Sequence, residues 1–350
     1  MNVWAIRCDR PQPTPKLTNT QTPMEAIVYD EPGSPDVLRL GEHPTPEPDP
    51  NEVLVRVHAT ALNRADTMQR QGRYPPPDGA SPILGLEMAG TVEEVGENVI
   101  DWKPGDPVMG LLAGGGYAEY AVIHQDVALA IPPGLTPGEA AAIPEVFLTA
   151  FQALHWIGEV ESGENVLIHA GASGVGTAAI QLVREAGAHP YVTASGPKHD
   201  VCYELGAKHA VNYREEDFAP VVRERTGGHG ADLIIDFVGA PYFDPNLDAL
   251  AEDGRVVMLS TLGGATVQEA DLRKLFAKRA TLAASTLRSR SQDYKMRLSQ
   301  DFAADVLPLF LDGTVRPVID STFDWARAAD AHRRMEANEN AGKIVLRVVD

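Results

Sequence analysis

The sequence predicts an α/β protein in two parts: a doubly wound parallel sheet of the dinucleotide-binding (Rossmann) kind, and a second, β-rich domain built as a partly open barrel. Three observations predict it. The apolar strand Glu164 to Ala170 runs straight into the glycine-dense turn Gly171-Ala172-Ser173-Gly174-Val175-Gly176 and then into the small-residue amphipathic segment Thr177 to Gly187. From Thr136 onward, short apolar runs alternate with helical segments. From Met24 to about Ile131 the chain is a succession of short strands and turns marked by proline or glycine, with no nucleotide signature.

The glycine turn is half of a dinucleotide-binding unit. A side chain there would hold a pyrophosphate away from the helix N-terminus, whose free N–H groups and dipole favour negative charge. Gly171 and Gly176 fit the first and last glycines of G-x-G-x-x-G, and Ser173 replaces the second, with Gly174 and Val175 following it. The related G-x-S-x-G elbow of hydrolases is excluded, because Val175 stands at its final glycine. In an NAD site a carboxylate about 20 residues beyond the glycines holds the ribose 2′-hydroxyl. Here the second strand ends in Val192-Thr193-Ala194-Ser195-Gly196-Pro197-Lys198, with no acid. Ser195 and Lys198 can instead hold a 2′-phosphate, which predicts NADPH over NADH. The plain alternative is a solvated lysine at a helix start. Tyr213, 15 residues after Lys198 at a later strand end, is spaced to flank the 2′-phosphate or adenine, or else to pack in the core.

Within the barrel, Glu25–Tyr29, Glu52–Ala59, Met88–Val95, Asp106–Leu111 and Gly116–Ile123 read as strands. In the second part, Ala140–His155 is helical with a break near Pro144, and strands follow at Asn165–His169, Tyr191–Thr193, Ala210–Tyr213, Leu233–Val238, Arg255–Leu259 and Thr281–Ser285. Helices at Lys198–Leu205, Arg214–Thr226, Asp244–Leu250 and Asp271–Ala277 connect them. The tail carries helices at Gln292–Leu311 and Trp325–Glu336 and a last strand at Ile344–Val349; having left the alternation, it is expected to return to the barrel. The expected division is therefore 24–145 plus 296–350 for the substrate domain and 146–295 for the NADPH domain. Residues 1–23, with four prolines and no apolar period, read as a disordered extension; Arg7, Arg10 and Lys16 against Asp9 leave a transit peptide as the alternative.

Composition narrows the function. With 350 residues the chain can bury two cores, and 44% hydrophobic with 23% charged residues is ordinary for a globular protein. The net charge of −19 repels phosphate backbones and anionic membranes, so nucleic-acid binding over the general surface is disfavoured. Only Cys8 and Cys202 occur, which excludes a disulfide framework and a four-cysteine zinc lobe. No apolar run approaches a membrane span, and a cytoplasmic location is expected.

Several runs resemble one family: Ala61-Leu62-Asn63-Arg64-Ala65-Asp66-Thr67, Gly72 to Pro77, Gly85-Leu86-Glu87-Met88-Ala89-Gly90, the loop Ala170 to Thr177, and Ser285-Thr286-Leu287-Arg288-Ser289-Arg290. They are similar to the zinc-free quinone oxidoreductases of the medium-chain dehydrogenase/reductase superfamily, nearest to the stress-inducible NADPH:quinone oxidoreductase branch, and the likeness runs from Met24 to Val349. The resemblance implies a GroES-like barrel, NADPH as cofactor, a quinone as the small-molecule partner, and a homodimer formed through Thr281–Ser285. Zinc-dependent relatives place a cysteine near position 63 and a histidine near 86; Asn63 and Leu86 stand there, so no metal is expected. By resemblance, Tyr74 donates to the quinone oxygen, the alternative being a packing ring. Ser173 is a second catalytic candidate or a simple cap, Asn63 and Thr149 contact the nicotinamide and its ribose, Lys343 is a C-terminal cofactor contact, and Asp66 is structural. The expected activity is NADPH-dependent quinone reduction. Reduction of activated C=C bonds in enals or enones and non-catalytic NADPH binding are the alternatives.

Overall fold

The computed structural model describes residues 22–348, so all but the last two residues of the expected N-terminal extension lie outside the described residues. The barrel part is built from β1 (Pro23–Val28), β2 (Arg39–Pro44), β3 (Glu52–Ala61), β4 (Glu87–Val95), β5 (Pro107–Leu111), β6 (Tyr120–His124) and β7 (Ala128–Ala130). The nucleotide part contributes β8 (Asn165–Ile168), β9 (His189–Ala194), β10 (His209–Asn212), β11 (Ala231–Asp236), β12 (Leu250–Met258) and β13 (Thr281–Ala284), and the tail adds β14 (Ile319–Asp324) and β15 (Lys343–Arg347).

The six strands β8 to β13 form one wholly parallel sheet in the order β10-β9-β8-β11-β12-β13. The order reverses beside β8, and a ligand crevice opens outside the carboxyl ends of the strands at such a point. Val166, Leu167 and Ile168 of β8 and Leu233 and Ile234 of β11 are fully buried. Both faces are covered by helices, which is why these strands read as unbroken apolar runs.

The second sheet runs β14-β15-β3-β4-β5-β7, with β6 also pairing β3, while β1 and β2 form a separate two-stranded ribbon. Antiparallel pairing of β15 with β3 (Val345 opposite Ala61) brings the chain's end back into the barrel sheet. Helix Pro144–Phe151 joins the two parts. Its Val146, Phe147, Leu148, Ala150 and Phe151 are buried in a core continuous with both sheets, and Phe147 meets Phe310 edge-on at 4.9 Å. Each such side chain contributes about 1.5–3 kcal/mol of apolar burial.

Several elements differ from the sequence reading. The helix expected over 140–155 is three pieces, Pro137–Ala141, Pro144–Phe151 and a wide turn Gln152–Ile157, because Pro144 cannot continue the first helix and starts the second. Strands β2 and β14 and helix Arg64–Arg70 were not expected. β2 is exposed or half-buried along its length, and β14 is an edge strand with no buried residue, so neither carries an apolar signal.

Candidate active site

The glycine loop lies at the reversal point of the parallel sheet. Ser173 is the N-cap of helix Gly174–Glu185, and its Oγ accepts the N–H of Gly176 at 3.1 Å. A Cβ on Gly176 would sit 2.6 Å from the carbonyl oxygen of Gly171, and one on Gly171 would sit 2.5 Å from Cβ of Val192; no rotamer relieves either, so the loop admits only glycine there. The left-handed turn itself falls on Ala170, at φ 50°. Beneath the loop, His169 is fully buried, with Nδ1 3.0 Å from Thr193 Oγ1 and Nε2 2.7 Å from Asn246 Oδ1. Burial pushes its pKa down, so the ring is neutral at pH 7. Asn246 Nδ2 donates to Asp236 Oδ2 at 3.2 Å, and Asp236 Oδ1 accepts the N–H of Val238 at 2.7 Å. This buried chain pins the carboxyl ends of β8, β9 and β11, the three strands a dinucleotide would cross.

Four polar or aromatic side chains gather at the ends of β9 and β10. Ser195 follows Ala194 at the end of β9 and is 9% exposed. Lys198 Nζ donates to the carbonyls of Asn338 at 2.8 Å and Asn340 at 2.6 Å, leaving one N–H uncommitted. Burial pushes its pKa down; Asp320 opposes this, and Arg214, Arg334 and Arg64 reinforce it. Arg334 is itself paired with Asp320 at 2.6 Å and Glu339 at 3.3 Å, so Lys198, Arg214 and Arg64 are the cations left to this end of the sheet. Tyr213 is 45% exposed, with the Arg214 guanidinium 5.8 Å from its ring centre. Sequence reasoning missed Arg214; the available signal was a basic residue directly after a strand end, next to a tyrosine already singled out.

At the other end of the crevice a buried ionic cluster lies within the barrel, against the glycine loop. Lys343 Nζ donates to Leu62 O, Asn63 Oδ1 and Glu87 Oε1, each at 2.7 Å, and so has all three hydrogens committed. Its stem lies against the glycine loop: a Cβ on Gly174 would meet Lys343 Cδ at 2.8 Å. Asn63 is similarly occupied, its Nδ2 donating to Glu87 Oε1 at 2.8 Å while its Oδ1 takes the lysine. The geometry therefore gives Asn63 and Lys343 a tie within the barrel, and the neighbouring Gly342 N–H, bonded to Ala172 O at 2.8 Å, carries the backbone contact across to the glycine loop. Asp66, fully buried, accepts the N–H groups of Asn63 (2.8 Å) and Gly85 (3.0 Å), and burial pushes its carboxyl up to about 6.

The helix Pro144–Phe151 begins over this cluster. Glu145 donates its N–H to Glu87 Oε2 at 2.9 Å, while its own Oε2 is buried without a partner. Burial, then the charge of Glu87, push the Glu145 carboxyl up to about 8. Thr149 is one turn further along and half-buried. Tyr74 is half-buried in the loop between helix Arg64–Arg70 and β4, under the guanidinium of Arg288 at 5.4 Å from its ring centre. Burial pushes its phenol pKa up; Arg288 opposes this and Glu145 adds to it, so the three groups share one electrostatic environment. Arg288 reaches across from the nucleotide part to Ala113 O (2.8 Å) and Gln69 Oε1 (2.7 Å), leaving Nη1 buried and unpartnered. Sequence reasoning assigned no role to Glu87, Glu145 or Arg288.

Two concavities flank these groups. One of about 300 Å³ lies between helix Arg64–Arg70 and the end of β12, lined by Arg64, Met68, Arg73, Thr261, Leu262 and Asn338 among others. The larger, about 400 Å³, lies on the barrel side and includes His43, Ser81, Tyr120, Arg288 and Lys295. None of the glycine-loop residues lines the larger one. Among the described residues no group of three or more His, Cys, Asp or Glu could hold a metal. Leu86 is buried and apolar and the Asn63 amide is committed to Glu87 and Lys343, so the donor set here does not fit zinc.

Comparison with known proteins identifies the class. Residues 49–133 match the alcohol dehydrogenase GroES-like domain and residues 205–346 the zinc-binding dehydrogenase domain. The rat synaptic vesicle membrane protein VAT-1 homolog is 32% identical over 93% of this chain and 84% of its own length. The pikromycin polyketide synthase component PikAII of Streptomyces venezuelae is 35% identical over 86% of this chain, which spans only 8% of that protein. Among solved structures, an NAD-dependent alcohol dehydrogenase (33% identical, TM-score 0.83) and a mycobacterial protein complexed with NADPH (32%, 0.81) are each covered completely, with 93% of this chain aligned. The CurK enoyl reductase (28%, 0.83) is 99% covered by 93% of this chain. The chain belongs to the medium-chain dehydrogenase/reductase superfamily: a GroES-like domain joined to a Rossmann-type, nicotinamide-nucleotide-binding sheet, with the oxidoreductase chemistry of that class. No helix among the described residues is long and apolar enough to cross a membrane.

Proposed function

We propose that this protein is an NADPH-dependent reductase that delivers hydride to a quinone without a metal. The observation that carries the reading is the end of β9: no acid at Ala194 or Ser195, and Lys198, Arg214 and Tyr213 grouped beside it. A carboxylate there would repel a 2′-phosphate; a hydroxyl, an ammonium and a guanidinium suit one. The residues fit the cofactor: Gly171 and Gly176 let the loop close tightly on Val192 and on its own carbonyls, and the helix start capped by Ser173 presents N–H groups to a pyrophosphate. When bound, NADPH supplies a hydride.

The chain's own groups then do the rest. Ser173 and Gly174 to Gly176 hold the loop, Lys343 braces it through its stem, and Val146 of the helix that carries Thr149 packs against Gly174. A quinone is already electrophilic, so the protein has mainly to hold it and receive the negative charge that develops on its oxygen. Tyr74, whose pKa burial pushes up, stays a protonated phenol able to donate to that oxygen. The apolar, outward-facing strand β13 at the sheet edge, with Leu282 38% exposed and Phe276 beside it 82% exposed, suits edge-to-edge pairing into a homodimer.

A second reading, reduction of an activated C=C bond, draws on the likeness to the enoyl reductase and the polyketide synthases. Steady-state rates with NADPH and 1,2-naphthoquinone against a medium-chain 2-alkenal separate the two. Turnover of the quinone is expected, and turnover of the alkenal alone would overturn the quinone assignment.

A further inference from the structure

We propose that Glu145 is the proton donor of this site: its carboxylic acid delivers the second proton to the substrate oxygen as charge develops there. The inference rests on the reductase reading above and adds a residue to it. Four geometric facts carry it. Glu145 opens the helix whose next residue, Val146, packs on Gly174 of the nucleotide loop, where an added Cβ would meet Val146 Cγ1 at 3.0 Å. Thr149 lies four residues on, one turn along the same helix face. The neighbouring barrel carboxylate, Glu87, is saturated by Asn63, Lys343 and the Glu145 N–H. Glu145 Oε2 is by contrast buried with no partner inside the protein. A buried polar oxygen left unbonded costs free energy unless something absent from the protein alone satisfies it; a substrate oxygen in the crevice is such a group.

The surroundings keep this acid protonated. From β4 the Glu87 carboxylate and from helix Arg64–Arg70 the Asp66 carboxyl both disfavour its ionisation, while Lys343 of β15 and Arg288 favour it, and burial outweighs them all. Tyr74 and, from helix Gln292–Asp305, Lys295 also feel its charge. The carboxyl is consequently held up at about 8, a value suited to giving a proton near neutrality. Tyr74, whose phenol is pushed the other way from acidity, then orients the oxygen, and Arg288 offers its unpartnered Nη1 to the same region. In the balanced step, the quinone gains a hydride, which is two electrons and one proton, as NADPH becomes NADP+. The oxygen left negative forms an O–H bond as the O–H bond of Glu145 breaks. The carboxylate left on Glu145 regains a proton from solvent once product has left the crevice.

Two measurements test this. Infrared difference spectra of the protein without nucleotide, wild type minus Glu145→Gln, should show a protonated carboxyl band at pH 7 that fades as pH passes about 8; a carboxylate band at pH 7 would overturn the proposal. With NADPH and 1,2-naphthoquinone, wild-type kcat should fall through the same pH. Glu145→Gln, which keeps shape but has no proton to give, should lose on the order of 10²-fold at pH 7 and show no break, and Glu145→Asp should restore the break. A Glu145→Gln enzyme with wild-type kcat and an unchanged break refutes the donor role alone. A wild type that oxidises NADPH with neither quinone nor alkenal refutes the reductase reading and the donor role with it, and the infrared band tells that failure apart from a misassigned carboxyl.

Discussion

The buried ammonium of Lys343 ties β15 to the ends of β3 and β4 within the barrel sheet, beside the glycine loop, and its removal has a calculable cost. Lys343→Met keeps the aliphatic stem that lies against Gly174 and deletes only the charge, so little cavity is created. What is lost is the partner of Glu87, a carboxylate with no exposure, together with the bonds to Leu62 O and Asn63 Oδ1. Breaking a buried ion pair from one side costs about 3–5 kcal/mol. Glu87 keeps the Asn63 amide and the Glu145 N–H, which argues for the lower end, about 3 kcal/mol. For a domain of this size that corresponds to a fall in Tm of roughly 6–12 °C. Calorimetry and urea denaturation measure it, and the double variant Lys343→Met/Glu87→Gln should cost about 1–3 kcal/mol less than the sum of the singles. A single-variant loss below about 1 kcal/mol, or an additive double, would refute the reasoning.

Three further outcomes follow from the same geometry. Gly176→Ala forces a methyl against the backbone carbonyls of Ala170 and Gly171; it should cost about 1–3 kcal/mol and abolish detectable nucleotide binding by fluorescence titration, and unimpaired binding would contradict the cradle. The Glu145 carboxyl has a folded value of about 8 against an ordinary 4.5. Between those values the folded state binds more protons than the unfolded, so stability falls as pH rises through that window, by up to a few kcal/mol; Glu145→Gln should flatten that slope in urea titrations from pH 5 to 9, and an unaltered slope would count against it. Leu282→Lys on the exposed edge of β13 should convert a homodimer to a monomer in light scattering, and a wild type that is already monomeric would remove that interface.

What was legible in the sequence was whatever is local. The strand Asn165–Ile168, the glycine loop and the helix after it lie in one run, and each glycine answers a steric demand within that run or from the neighbouring strand. Buried parallel strands announce themselves as apolar blocks, so β8 to β12 were found with ends shifted by a few residues; the exposed edge strand β13 was found because Thr281-Leu282-Ala283-Ala284 is still an apolar run. Strand β14 was not, because Ile319-Asp-Ser-Thr-Phe-Asp324 lies at an edge and buries nothing, and helix Arg64–Arg70 is shorter than two turns. The site was half legible. Ser195, Lys198 and Tyr213 could be placed because strand ends in a doubly wound sheet converge by topology. Glu87 and Glu145 could not, since a glutamate in a strand or at a helix start reads as surface, and only long-range packing buries these two against each other. Lys343 was read by resemblance as a cofactor contact; the partners that take its hydrogens here, Asn63, Leu62 and Glu87, lie more than 250 residues away, where no local motif displays them.

The central claim is that the end of β9 receives a 2′-phosphate. Equilibrium titration of intrinsic fluorescence with NADPH and with NADH, on wild type and Lys198→Ala, tests it most directly. The account predicts tighter binding of NADPH by wild type, and a loss of about 1.5–3 kcal/mol for NADPH but little for NADH in the variant, the worth of a hydrogen bond to a charged group. Equal affinity of the wild type for the two nucleotides, or equal losses on substitution, would contradict it.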